Sequence, residues 1–145
     1  DVLAWNTAAA KVFTNYAELS PEQRNVMRLF FLSKGSRAAN PHWQSTARII
    51  VSSLRADLAR LGEDESSQEL IKELCEKSDI FRSLWNSHEI SDVKDGVKIL
   101  SLPNVGEISL HYSSFIVSSS PELSLLVYTP MSTSDKQNLL ALINK

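Results

Sequence analysis

The sequence predicts an α+β fold: an antiparallel sheet of about four to five strands, in which an N-terminal strand joins a C-terminal meander, covered by several helices. Two observations predict it. From Ser20 to about His88, apolar residues recur at three- and four-residue spacing behind helix-start signals, which is the pattern of helices with one buried face. From Val97 to Thr129 that period gives way to short β-rich runs parted by turn residues. Helical runs segregated from strand runs indicate α+β rather than an alternating α/β chain.

The elements follow in order. VLAW (2–5) reads as a short buried strand, and Asn6 caps an alanine-rich helix, TAAAKVF (7–13), whose small side chains let it lie close to its neighbours. In SPEQ (20–23) Ser20 caps, Pro21 takes the first helical position and Gln23 completes a capping box. The helix behind it carries Val26, Met27, Phe30 and Phe31 and ends at KGS (34–36). Asn40 and Pro41 repeat the device for a helix from 41 to about 61. There Trp43, Ala47, Ile50, Val51, Leu54, Leu58 and Leu61 keep the helical period, with Arg48, Arg55, Asp57 and Arg60 on the other side. GEDESS (62–67) is an acidic loop. A helix over about 67–77 uses Leu70, Ile71 and Leu74, and Asp79 caps the next, with Phe81, Leu84, Trp85 and His88 on one face.

Asp95-Gly96 then turns the chain into VKILSL (97–102), and Asn104 to Gly106 turns it again. EISLHYSSFIVS (107–118) alternates, with Ile108, Leu110 and Tyr112 on one face and Glu107, Ser109 and His111 on the other. SSSP (118–121) turns into LSLLVYT (123–129), and Ser134 to Gln137 reads as a second capping box, for a closing helix with Leu139, Leu140, Leu142 and Ile143.

With 145 residues, 43% of them hydrophobic and 22% charged, the chain suits one domain that buries its core without a disulfide or metal staple. A net charge of −2 leaves no basic stripe for nucleic acid. The lone Cys75 cannot form an internal disulfide, which fits a reducing cytoplasm. A cytoplasmic location without membrane association is expected, because no apolar run approaches the roughly 18 residues of a membrane span and no leader pattern opens the chain.

VLAW cannot be stable alone at the N-terminus and is expected to join the sheet of the distant hairpins. A strand-helix start, helices in the middle and a three-strand finish form the PAS-type arrangement. The segments DVLAWNTAAAKVF (1–13), RNVMRLFFLS (24–33), HWQSTARIIVSSLRADLAR (42–60), FRSLWNSHEI (81–90), PNVGEISLHYSSF (103–115) and LSLLVYTP (123–130) carry a further resemblance. In this order they resemble the MmyB-like ligand-binding domains found at the C-terminus of XRE-type helix-turn-helix regulators in bacteria. One departure is ILSLPNVGE (99–107), where the family tends to carry an Arg-His pair before the proline and this chain has Ser101 and Leu102. The resemblance implies a PAS-like sensor domain for transcription regulation, a single unit over 1–145, that binds a small lipid-like molecule such as a fatty acid. The chain opens on Asp1, not methionine. The expectation is that a helix-turn-helix domain precedes it and makes all the contacts with DNA.

Pockets for small ligands are mostly apolar, with a few polar groups that fix orientation. A cavity between helices and sheet is expected to be lined by Trp5, Met27, Phe30, Phe31, Trp43, Ile50, Leu54, Phe81 and Trp85. These side chains are either plain core or an apolar excess around a guest, in which each buried methylene contributes roughly 0.8 kcal/mol. For a carboxylate head group, Arg28, one turn after Arg24, offers a bidentate partner or forms a surface salt bridge. His88 either donates to the ligand or sits against a helix dipole. Tyr112 and Tyr128, on neighbouring strands, point into the cavity or reach water.

No pattern for catalysis or a cofactor is present. His42, His88 and His111 are far apart, there is no Cys-x-x-Cys, His-Glu-x-x-His or calcium-spaced loop, and four glycines make no phosphate cradle. No nucleophile-base-acid spacing occurs, so the chain is not expected to be an enzyme. No pattern supports the haem or flavin that PAS folds elsewhere hold; a bound fatty acid would be the ligand. Cys75, near Lys72 and Lys77, reads as a buried inert thiol. The alternative function is a dimerisation module without a ligand, in which the last helix packs on a second copy to give a homodimer.

Overall fold

Helix-start chemistry sets most of the element boundaries in the computed structural model, which describes residues 1–88 and 96–145. Asn6 accepts the Ala9 amide at 2.9 Å and opens α1 (Thr7–Val12). The box at Ser20 forms as expected, with Ser20 Oγ accepting the Gln23 amide and Gln23 Oε1 accepting the Ser20 amide. It closes only one 3-10 turn, Pro21–Gln23, and the apolar helix α2 (Val26–Leu32) starts afresh from Asn25, whose side chain accepts the Arg28 amide at 3.1 Å. A one-turn α3 (Ser36–Ala39) follows. The long helix α4 (Trp43–Leu61) begins later than expected, after His42 and with no side-chain cap, so Pro41 does not occupy its first position.

The acidic loop is shorter than expected. Asp64 accepts the Ser67 amide at 2.7 Å, Ser67 Oγ accepts the Asp64 amide, and α5 (Glu65–Lys77) starts inside GEDESS. The cap of α6 (Asp79–Ser87) is Ser78, accepting the Phe81 amide at 3.2 Å, not Asp79, which lies in the first turn. The expected Asp95-Gly96 turn lies partly outside the described residues.

The chain divides into two compact units. The first takes residues 1–2, 19–37 and the described residues from His42 to His88. It is helical: α2 packs against α4 and α5, and α6 against α4 and α5. Trp43, Ala47 and Val51 are buried along one side of α4 at four-residue spacing; Leu74 and Phe81 are fully buried beside them.

The second unit takes residues 3–18, 38–41 and the described residues from Gly96 to Lys145. Its sheet is an antiparallel meander of β1 (Val97–Leu102), β2 (Gly106–Val117) and β3 (Ser120–Pro130), in that order. Asn104 and Gly106 carry positive φ, 64° and 92°, at the first turn. The second hairpin is tighter than SSSP implied: Ser120 already pairs with Val117 beyond a bulge, and Pro121 sits in the edge strand, where its missing amide costs no ladder bond. Leu100, Leu102, Ile108 and Leu110 point to one face and bury with Val12 of α1, and α7 (Thr133–Ile143) adds Leu139 and Leu142. The leucines of the last helix that were available for a partner therefore pack on the chain's own sheet, and Leu140 stays exposed.

Among the described residues the sheet has three strands, not four to five. VLAW forms no strand. The Val2 amide is spent on the Arg24 carbonyl at 2.7 Å, and Asn25 Nδ2 holds the Asp1 carboxylate at 3.0 Å, so the opening residues are tied to the start of α2 instead of feeding a ladder.

The cap of α7 also differs from expectation. Ser132, two residues before the expected Ser134, accepts the Asp135 amide at 3.0 Å. Asp135 then accepts from Ser132 Oγ at 2.6 Å and from the Ser109 amide of β2 at 2.9 Å. Those bonds, Ser132's first, hold the Asp135 carboxyl below the usual range. One carboxylate thus holds the capping Ser132 in place and fastens the helix to the sheet. Asp135→Ala should cost about 1–2 kcal/mol in urea denaturation. A loss within error would mean that α7 is held by its leucines alone.

Candidate functional site

Spacing on short helices puts the large rings of the first unit into contact with one another. Phe30 on α2 stacks on Trp43 of α4 with centroids 4.9 Å apart and planes 8° from parallel. Phe31 stands edge-on to Phe30, Trp43 and Phe81 at 5.1, 5.7 and 5.2 Å. Phe81 stacks on Trp85, one turn further along α6, at 5.8 Å. Met27, Ile50 and Leu54 pack around the same rings. The structure therefore brings eight of the expected apolar lining residues together, and Met27, Phe30, Trp43 and Phe81 are buried as core.

Of the polar candidates of this unit, Arg28 has an ordinary ionic partner. Arg28 Nη2 meets Glu73 Oε2 at 2.7 Å, and its Nε donates to the same oxygen at 2.8 Å. Glu73 also binds Lys77 at 2.9 Å; hydrogen bonds from Lys77 and then Arg28 keep its carboxyl below the usual range. His88 ends α6 in the left-handed conformation, φ 52°, and is exposed.

Arg55 departs from expectation. Its position on the polar side of α4 is overturned by the geometry: the guanidinium lies 4.8 Å over the Trp85 ring and donates to the carbonyls of Leu84 and Trp85. Carbonyls in the last turn of a helix have no partner within it, and a cation there also meets the negative end of the dipole. The spacing held a signal for this, because Arg55 continues the four-residue row of Trp43, Ala47 and Val51. Beside it an open groove of about 390 Å³ is lined by Arg55, Leu58, Ala59, Glu63 and Trp85. Its floor is apolar, with one charge of each sign on the walls.

The other two lining candidates, Trp5 and Tyr112, belong to the second unit. Trp5 packs on Tyr16 at 5.2 Å, and Tyr112 faces Tyr128 across the β2–β3 ladder at 6.0 Å. Tyr128 also packs on Phe13 at 4.8 Å, and Lys98 of β1 sits 5.2 Å over the Phe13 ring. Burial, with smaller contributions from Tyr16 and Tyr112, pushes the Tyr128 hydroxyl up to about 12; burial pushes the Lys98 ammonium down. Burial also raises the Cys75 thiol, away from a reactive thiolate.

A family model for the MmyB-like transcription regulator ligand binding domain matches residues 1–143. The chain belongs to this family. Comparisons with curated proteins and with solved structures gave no match. The MmyB-like domain so identified includes the aromatic helical unit and the tyrosine-lined sheet in one matched span. No helix among its described residues is long and apolar enough to cross a membrane.

Two outcomes follow. Arg55→Met should lower stability by about 1–3 kcal/mol in chemical denaturation, since it removes the N–H donors to the Leu84 and Trp85 carbonyls and the cation over Trp85. No loss would reduce Arg55 to a surface charge. For Tyr128, the folded pKa lies above the unfolded value, so its contribution is complete below about pH 10 and is lost as pH rises toward about 12. Stability should fall across that window, and Tyr128→Phe should flatten the slope; an unchanged slope would mean that the hydroxyl is wet.

Proposed function

We propose that this MmyB-like domain is the sensor half of an XRE-type regulator: a PAS-like ligand-binding domain that takes up a lipid-like molecule, with a fatty acid as the favoured class. It would report to a helix-turn-helix domain that alone contacts DNA, in the cytoplasm. The observation that carries this reading is membership of a ligand-binding family along nearly the whole chain.

Physical chemistry supports the choice of ligand. Each unit leaves apolar surface that its own core does not cover. In the first this is the groove beside Trp85. In the second it is the far half of the β2–β3 hairpin, where Phe115 is 55% and Leu125 59% exposed. Contiguous exposed apolar surface commonly marks a binding site, and a hydrocarbon chain needs little polar help to bind it. The rings of Phe30, Phe31, Trp43, Phe81 and Trp85, with Met27, Ile50 and Leu54, are the proposed lining in the first unit, and Trp5 and Tyr112 in the second. The domain acts by binding, not by turnover. A ligand that favours one packing of the helices shifts the population of that packing, by no more than its differential affinity.

Native mass spectrometry before and after delipidation should show a bound acyl mass that delipidation removes. Palmitate at about 100 times its Kd should then stabilise the chain by about 2.7 kcal/mol, which is about 5–10 °C in Tm. No bound mass, together with no shift from any chain length, would refute the sensor reading.

A further inference from the structure

Strand alternation gives β1 one anomalous residue. Its inward positions are Lys98, Leu100 and Leu102, and the last two are core. Lys98 pairs with Leu110, Leu100 with Ile108, and the next inward residue of β2 after Leu110 is Tyr112, opposite Tyr128. A lysine therefore shares the apolar face of the sheet with leucines, Phe13 and two tyrosines. Its ammonium lies over the Phe13 ring and has no carboxylate or hydrogen-bond acceptor among the described residues. Among the described residues of this unit, Asp135 is held by Ser132 and Ser109, Glu18 is held by Asn15, Glu107 alternates to the opposite face, and Glu122 lies at the other end of β3 from Pro130, the residue in line with Lys98 and Leu110. A partly buried cation is costly unless something anionic pairs with it, and burial already lowers its pKa. A tyrosine hydroxyl is a donor suited to the same kind of guest.

We propose that Lys98 Nζ, with the Tyr112 and Tyr128 hydroxyls on the same face, is the seat of a carboxylate, the head group of an amphiphilic ligand. This rests on the ligand-binding reading above and moves the polar anchor from Arg28, which is spent on Glu73, to the sheet. The hydrocarbon tail then runs over apolar surface, and the Lys98 charge selects acids over neutral lipids of the same length.

The test compares palmitate with hexadecanol, which has the same chain and no charge, on the delipidated full chain. The wild type should bind palmitate at least tenfold more tightly than hexadecanol. Lys98→Met should bring palmitate to the level of hexadecanol and leave hexadecanol unchanged, Lys98→Arg should keep the preference, and Tyr128→Phe should lose two- to fivefold for palmitate alone. Lys98→Met should also melt no lower than the wild type without lipid, because it removes a charge that has no ionic partner among the described residues. If Lys98→Met does not fold, Lys98→Gln replaces it. A preference that survives both neutral substitutions, or a wild type that binds acid and alcohol equally, overturns the anchor while the sensor reading stands. A wild type that binds neither lipid overturns the sensor reading and the anchor with it.

Discussion

Phe31 is the ring on which the helical unit depends. It touches Phe30, Trp43 and Phe81 edge-on, and so joins α2, α4 and α6 at one point. Helix α2 has seven residues, far too few to persist alone in water. Its stability comes from this packing, with roughly 0.5–1.5 kcal/mol per aromatic pair beyond the area buried. The two stacked pairs, Phe30 on Trp43 and Phe81 on Trp85, extend the contact from the start of α4 to the last turn of α6. At that far end Arg55 covers the outermost ring and the open carbonyls together. The groove at Trp85 thus lies where the aromatic stack ends.

Most elements were legible because their signals are local. Period and cap chemistry located the longer helices but not the one-turn α3, and the turn at Asn104 to Gly106 was readable because both residues tolerate positive φ. The errors are of two kinds. Ser134 for Ser132 and Asp79 for Ser78 are slips between adjacent polar residues that are all competent caps; only the backbone conformation, extended at Ser132 and at Ser78, decides between them. VLAW is a different failure. Its composition suits a strand, but a strand needs an edge to pair with, and the Val2 amide is already bound to Arg24. Pairing is a long-range property, and four residues of composition do not report it.

The candidate site divides along the same line. The lining rings could be listed from helical spacing, since burying rings is what that spacing does. Arg55 and Lys98 were passed over because a charge is expected to face water. Each in fact occupies a row that otherwise holds core residues: Arg55 continues Trp43, Ala47 and Val51, and Lys98 alternates with Leu100 and Leu102. A charged residue in phase with an apolar row is the signal that was there to read.

The two residues resolve that conflict differently. Arg55 carries a planar fork that meets two carbonyls and a ring at once, so its charge is compensated inside the unit that holds it. Lys98 has a compact, strongly hydrated charge, and the Phe13 ring is weak compensation for lost water. A fold selected for stability alone would place leucine there, as it does at 100 and 102. The Lys98 charge is accordingly compensated less well by its own unit than the Arg55 charge is; under the proposed anchor an anionic ligand would supply the missing compensation, and a ligand can shift only a balance to which it contributes energy.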